Sequence, residues 1–573
     1  MDKDFIDVAM KRKKADLVLK NGKVIDVYSG RIIQEDLAIY KGLIVGWGNY
    51  LGEVEIDLKG MYVSPGLIDG HIHIESSYLT PEELGSLLPN FGTTTIIADP
   101  HEIVNVCGLT GLDYMIEASK NTKMDIKYVL PSCVPATPFE NAGSVVEASD
   151  MKDHMAMEEV IGLGEFMNFP GVINGDRNCI DKINVAIQNK KIIDGHCPGL
   201  MGIDLNAYVG AGIVTDHECM TIEEMKEKIS KGMFIQLRHG SACHDLERLI
   251  EGVDDENYHR CMFCSDDRQP ETILKQGHID NHLRIAVKKG LSAIRAIRIG
   301  TLNPSICYGL SDRGAIAPGK RADITIFKDL EKFEVAMTFI KGEKVSENGK
   351  YLFPVEKVAI DKVANSFNVK DFSVDKLKLN LKNGLVNLIE IVPGGVVTKK
   401  VVEKVEIDKN GDFKYNPEKD IVKIGVVERH RGTGNVAVGL IKGYGIKRGA
   451  VAISIAHDSH NIIVAGTNNR DMEVAVKQVI EQNGGVALVD HEKIVGQMEL
   501  PIGGIMSDRS IEEVNNKLIE VHNTAIKKLG VNSNIDPIMT LCFMSLPVIP
   551  ELKITDMGLF DVNKFSFIPL ESQ

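Results

Sequence analysis

Between residues 64 and 317 one texture repeats: a short apolar run, a polar tip, then a stretch with helical spacing. Eight runs read as strands: SPGLIDGHIHI, TTTIIADPHE, KYVLPSCVPA, VIGLGEFMN, KIIDGHCPG, AGIVTDHE, GMFIQLRHGSA and MFCSDD. Strands that alternate with helices predict a parallel sheet, and eight such units in roughly 250 residues predict a (β/α)8 TIM-like barrel. Residues 15–63 and about 318–352 have a different texture, of short strands and tight turns. Asn21-Gly22 between apolar runs is a hairpin signal. Two separated β segments predict one small β-sandwich domain, residues 1–63 with 318–360, into which the barrel, 64–317, is inserted. A third block, 365–573, is rich in Val, Ile and Gly and reads as a C-terminal α+β domain. The expected fold class is α/β, built from these three parts.

The first run places Asp69, His71, His73 and Glu75 at every second position. Alternation puts such side chains on one face of a strand. A solvent face carries such a row, and so does a metal site. The other runs narrow the choice. Strand two ends in Asp99-Pro100-His101-Glu102, strand four in Glu165, strand five in His196 and strand six in His217-Glu218. Strand seven ends in Arg238-His239 and strand eight in Asp266-Asp267. Barrel chemistry sits at the C-terminal ends of the strands. Polar groups at the tips of buried strands are costly unless they are paired or bound to metal. Cys261-x-x-Cys264 has metal-ligand spacing but no second half, and reads as structural. His239 and His244 belong to a loop near the rim rather than to a ligand set. GLGEF and GAGIV lack the context of a phosphate-binding turn, so no nucleotide cofactor is expected. In the third block AHDSHN, 456–461, follows the apolar run GAVAISI and clusters His457, Asp458 and His460. It is either a hydrogen-bonded turn between domains or a metal-binding or substrate-capping segment over the barrel mouth.

Charge and cysteine usage then limit the partners. The 573 residues carry a formal net charge of −14. That weighs against nucleic acid, whose backbone wants a basic face, but not against a small base. Ten cysteines without a repeated framework fit a reduced, cytoplasmic setting. The N-terminus has no long apolar run behind a basic start, and no stretch is apolar enough to span a membrane.

The strand-end pattern resembles the amidohydrolase superfamily, and GLSAIRAIRIGTLNPSICYGLSDRGAIAPGKRADITIF resembles the segment that leads such barrels back into their β domain. Within it, SPGLIDGHIHIESS, TTTIIADPHEIVNVCG, GLGEFMNFPGVI, DGHCPG and TDHE resemble the bacterial and archaeal adenine deaminases. So do ERHRGTGNVAVGLIKGYGIKRGAVAISIAHDSHNIIVAGTN (428–468) and LPIGGIMSD (500–508), which lie in a third domain that most amidohydrolases lack. The resemblance covers nearly the whole chain. It implies metal-dependent hydrolysis of adenine at C6 to hypoxanthine and ammonia, in purine salvage. It implies two divalent ions, Mn(II) or Fe(II) in preference to zinc. His71 and His73 would bind the first, His196 and His217 the second, and Asp266 would bind the first ion and touch the attacking water. Glu165 would bridge them, where many relatives use a carbamylated Lys. Asp266 and Glu218 are the expected proton carriers. Asp99, His101, Glu102, His457, Asp458 and His460 are the expected substrate-binding residues. A homo-oligomer, dimer or larger, is implied as well. The alternatives are an amidohydrolase acting on another aminopurine or a cyclic amide, and an inactive barrel serving as scaffold. The scaffold would have lost ligands, and all six positions here carry competent side chains.

Overall fold

The computed structural model describes residues 3–572. All eight apolar runs form strands: β1 (Leu67–Ile72), β2 (Thr93–Ala98), β3 (Asp125–Leu130), β4 (Val160–Phe166), β5 (Ile192–Gly195), β6 (Thr215–Asp216), β7 (Phe234–Arg238) and β8 (Cys261–Cys264). β1 to β5 pair in chain order as one parallel arc, and β6 to β8 as another. Single parallel bridges, Ile193 to Ile213 and Ile72 to Asp266, close the arcs into a barrel. The second closure sets the site. Asp266 N donates to His71 O at 3.0 Å and His73 N to Asp266 O at 3.2 Å, so the first and last strands hold these side chains next to one another.

The polar row on the first run is shorter than alternation predicts. β1 ends at Ile72, paired with Ala98, and residues 75–77 form a 3-10 turn closed by Tyr78 at φ 59°. The neighbouring strand does not extend the ladder: the Asp99 carbonyl, next in register, faces His73 Nδ1 instead, and after Pro100 the chain turns into helix α1 (His101–Cys107). Glu75 therefore leaves the row, and its Oε1 accepts Ile103 N at 3.2 Å.

The segments on either side of the barrel meet in one seven-stranded sheet, where Tyr62–Pro65 runs antiparallel to Ile324–Phe327. A four-stranded sheet faces it, and Leu19, Val24, Ile39, Ile44, Val63, Ile324 and Phe339 fill the space between them. The Asn21-Gly22 turn is not a hairpin. Ala15–Lys20 pairs in the four-stranded sheet and Lys23–Asp26 in the seven-stranded one, so the turn is a corner between layers. A Cβ at Gly22 would lie 2.9 Å from Leu58 Cδ1 and Val63 Cγ2, so a larger residue would have to push those two buried side chains aside.

The third region contains β9 (Leu385–Ile391), β10 (Thr398–Lys404), β11 (Ile421–Val427), β12 (Val436–Lys442), β13 (Ala450–Ile453), β14 (Ile462–Gly466), β15 (Gly485–Asp490) and β16 (Lys493–Glu499). They form one mixed sheet in the order β10-β9-β12-β11-β14-β13-β15-β16. Helix α2 (Asn469–Glu481) lies on β13 to β15, and α3 (Ile511–Thr524) on β16. The turn after β13 is buried and carries His457, Asp458 and His460 to the barrel rim. Among the described residues no helix is long and apolar enough to cross a membrane.

Candidate active site

At the C-terminal rim the two oxygens of Glu165 face two groups of imidazoles. Oε1 lies 3.4 Å from His73 Nε2 and 3.8 Å from His71 Nε2. Oε2 lies 2.7 Å from His196 Nδ1 and 3.3 Å from His217 Nε2. Asp266 Oδ1 completes the first group, 3.0 Å from His73 Nε2 and 3.6 Å from His71 Nε2. All six side chains are buried.

The tautomers of these imidazoles suit a cation. His71 Nδ1 faces Asp194 Oδ2 at 3.2 Å, and His73 Nδ1 faces the Asp99 carbonyl at 2.9 Å. Neither partner has a proton to give, so each Nδ1 carries the hydrogen and each Nε2 presents a lone pair. Those lone pairs stand 3.2 Å apart, against carboxylate oxygens. Four acceptors converge with no hydrogen between them, which is stable only around positive charge. The spacing also fits a divalent ion. Ligand atoms about 2.1 Å from a shared ion are about 3.0 Å apart at a right angle and about 3.4 Å apart at a tetrahedral one. Imidazole held by a carboxylate on its far nitrogen is the usual outer support of such a ligand. On the second group, His196 Nε2 and His217 Nδ1 are buried without partners. A nearby cluster of the same residue types behaves differently. His460 Nδ1 accepts Ala456 N at 3.1 Å, so its Nε2 carries a hydrogen and donates it to Glu102 Oε2. That cluster is satisfied by its own protons.

The charges follow the same geometry. Burial alone would raise the Glu165 carboxyl, but His217, with the His101 and His196 imidazoles beside it, holds it well below the usual carboxylate range. Burial would raise Asp266 too; the neighbouring His73 imidazole, with Arg238 and His217 nearby, holds it well below. Burial, joined by the Asp266 charge, pushes Asp267 up.

The cavity above this floor is lined by His101, Glu102, Glu218, Arg238, His457 and Asp458, and roofed by Val396, Phe543, Leu546 and Ile549. The third region therefore contributes to the barrel's site, and AHDSHN is part of that wall. His457 Nδ1 meets Glu102 Oε1, and its ring stacks on Phe543 at 4.6 Å. His101 lies between Glu165 Oε1, 3.3 Å from its Nδ1, and Asp458 Oδ1, 3.7 Å from its Nε2. Asp458 Oδ2 is buried and has no partner. Asp99 and His460 stand one layer behind the lining residues. Asp99 Oδ2 accepts Glu165 N at 2.9 Å, and His460 braces Glu102. His239 stacks on His244 away from this cavity, and Cys261 and Cys264 are buried in β8 with thiols pushed up by burial.

Arg238 has no assigned role in the sequence reading beyond its place at a strand tip. It donates from Nη1 to Asp266 Oδ2 at 2.9 Å and from Nη2 to Glu218 Oε2 at 3.1 Å and Asp245 Oδ2 at 2.9 Å. A buried arginine at the same rim as the acids was the available signal, since such a cation needs anions around it.

The His457–Glu102 pair makes stability depend on pH. Burial opposes the charged imidazole, but Glu102 raises it from 6.5 to about 9. The contribution is complete below the unfolded value near 6.5 and is lost as pH rises through about 9. It amounts to about 3 kcal/mol. Denaturant unfolding of wild type and His457→Gln should differ by that amount near about pH 6 and converge near about pH 10. A gap that stays constant with pH would sink this assignment.

Comparison with known proteins agrees with the geometry. The amidohydrolase family model matches residues 62–345, and the model of the adenine deaminase C-terminal domain matches 395–566. The chain is 55% identical over 570 residues to adenine deaminase 2 of Desulfotalea psychrophila, covering 100% of this chain and 99% of that protein. It is 51% identical over 568 residues to the adenine deaminase of Ligilactobacillus salivarius, covering 99% and 98%. With that of Nitratidesulfovibrio vulgaris it shares 46% over 564 residues, covering 98% of each. The amidohydrolase match and the converging buried donors together point to metal binding. With both domains matched in order and identity sustained end to end, this chain belongs to the adenine deaminase family of the amidohydrolases.

Proposed function

We propose that this chain hydrolyses adenine at C6 to hypoxanthine and ammonia, serving purine salvage. The observation that carries the reading is the division of Glu165: one carboxylate, two groups of donors, directly beneath a cavity with an apolar roof. Relatives named adenine deaminase over the full length support the choice of substrate.

The proposed occupants of the floor are two divalent ions, Mn(II) or Fe(II). His71, His73 and Asp266 would hold one, His196 and His217 the other, with Glu165 shared. Imidazole and carboxylate without thiolate suit such metals. Bound there, they supply the Lewis acidity that makes water a nucleophile at neutral pH.

The remaining steps fall to the chain's own residues. Asp266 takes the proton of the attacking water, because Oδ1 faces the floor while Arg238 pins Oδ2. Attack at C6 moves an electron pair onto the adjacent ring nitrogen, which must be protonated as aromaticity is lost. Glu218, locked by Arg238, carries one proton of the water to that nitrogen, and Asp266 passes the other to the amine. The amine departs as ammonia once protonated, so adenine and water give hypoxanthine and ammonia in balance. His101, Glu102 and His457 position the purine, and the free Oδ2 of Asp458 accepts an N–H of its five-membered ring. Asp99 and His460 hold these groups from behind. Ten free thiols suit a cytoplasmic enzyme, and we expect it to assemble as a homo-oligomer.

The test is ammonia release from adenine, adenosine, guanine and cytosine by protein loaded with Mn(II), before and after chelation. Adenine should react at least about 100-fold faster than the others: adenosine lacks the five-membered-ring N–H that Asp458 accepts, guanine carries no amine at C6, and cytosine has no five-membered ring. Chelation should abolish the activity. Silence with adenine, while about two ions per chain are retained, would keep the floor and redirect the search to other aminopurines and cyclic amides.

A further inference from the structure

The roof of the cavity hangs on a group outside the ligand set. Lys553, on the strand Leu552–Thr555, is fully buried, and the partners of its Nζ are two backbone carbonyls and no carboxylate. It donates to Val396 O at 2.8 Å and to Phe543 O at 3.0 Å. Both acceptors belong to residues that line the active-site cavity, and they come from separate segments. Val396 sits in the connection between β9 and β10. Phe543 opens the turn 543–545 and stacks on His457.

A buried cation without a counter-charge is costly. A methionine would fill the same space without that cost. What methionine cannot do is satisfy two carbonyls from two segments at once. The Val396 segment needs such an anchor: Gly394 and Gly395 precede it, and a Cβ on either would meet nothing within 4 Å. The bridge also survives titration. Burial pulls the ammonium down to about 7, and the neutral amine still has two N–H groups for two acceptors.

We propose that Lys553 is a positioning residue of the active site, pinning Val396 and Phe543 together so that the roof holds the purine against the ligand floor. The proposal rests on the reading of the reaction given above. It differs from a purely structural role in what it predicts for substrate binding.

The experiment compares wild type, Lys553→Met and Lys553→Arg, each loaded with Mn(II), in steady-state adenine hydrolysis. Amide hydrogen exchange is followed in parallel for peptides covering 392–397 and 539–549. In Lys553→Met, KM should rise about 10-fold with kcat within about threefold, the signature of lost binding shared by ground and transition states. Exchange should quicken in those two segments alone, and bound metal should not change. Arginine keeps the donors and should restore KM to within about threefold of wild type. If the methionine variant does not fold, Lys553→Gln, whose shorter amide cannot span both carbonyls, reads out the same two segments. An unchanged KM, or exchange that quickens evenly across the third region, would overturn the proposal. If wild type itself is inactive on adenine, the reaction assignment fails, and the exchange pattern still decides whether Lys553 pins the roof.

Discussion

Glu165→Gln should lower turnover on the order of 10³- to 10⁴-fold, the equivalent of several kcal/mol of lost transition-state stabilisation. It should also leave the protein with at most one tightly held divalent ion. The reason is how the carboxylate is divided. Oε1 faces His71 and His73, and Oε2 faces His196 and His217. An amide keeps one acceptor and turns an NH₂ toward the other group, where a lone pair is needed. It also removes the negative charge that joins the two halves. Metal analysis and ammonia release on the same sample check the two effects together. Two retained ions with activity within tenfold of wild type would show that Glu165 does not bridge them. One retained ion with intact activity would assign catalysis to one half of the floor alone.

Much of this floor was legible because barrels concentrate chemistry at one place in the sequence. Each strand is an apolar run, buried on both faces, and its tip is where polarity becomes affordable. His71, His73, Glu165, His196, His217 and Asp266 all follow that grammar, and parallel register brings the tips to one rim. The grammar fails where the chain leaves the strand. Glu75 continues the alternation by counting, but the neighbouring chain turns into a helix at His101 and the backbone of residues 75–77 turns as well. Asn21-Gly22 has the local chemistry of a hairpin, yet which sheet each flanking strand joins is decided by pairing far along the chain, with Leu37–Tyr40 on one side and Tyr62–Pro65 on the other. The roof was not legible for a similar reason. Phe543, Leu546 and Ile549 come from LCFMSLPVIP, which reads as ordinary core. Nothing local indicates that 355 residues separate Glu102 from its partner His457. Lys553 is one of many lysines until its two acceptors are seen in space.

Asp266→Asn separates a base from a ligand. The substitution keeps shape and volume, and asparagine's remaining oxygen can still face His71 and His73. His71, His73 and Glu165 remain in the first group, so about two ions per chain should be retained. What is lost is a carboxylate able to take the proton of the attacking water. Turnover should fall about 10³-fold, within the usual range for removing a general base, with KM changed little. The placement of Arg238 makes the test clean. It holds Asp266 Oδ2 at 2.9 Å and Glu218 Oε2 at 3.1 Å, so the arginine loses one acid and keeps another. Loss of metal together with activity would mean that Asp266 acts mainly as a ligand. Activity within tenfold of wild type, with metal intact, would move the base to Glu218, the other carboxylate that Arg238 holds at the cavity wall. A double substitution, Asp266→Asn with Glu218→Gln, would then fall to the level that Asp266→Asn alone is expected to reach.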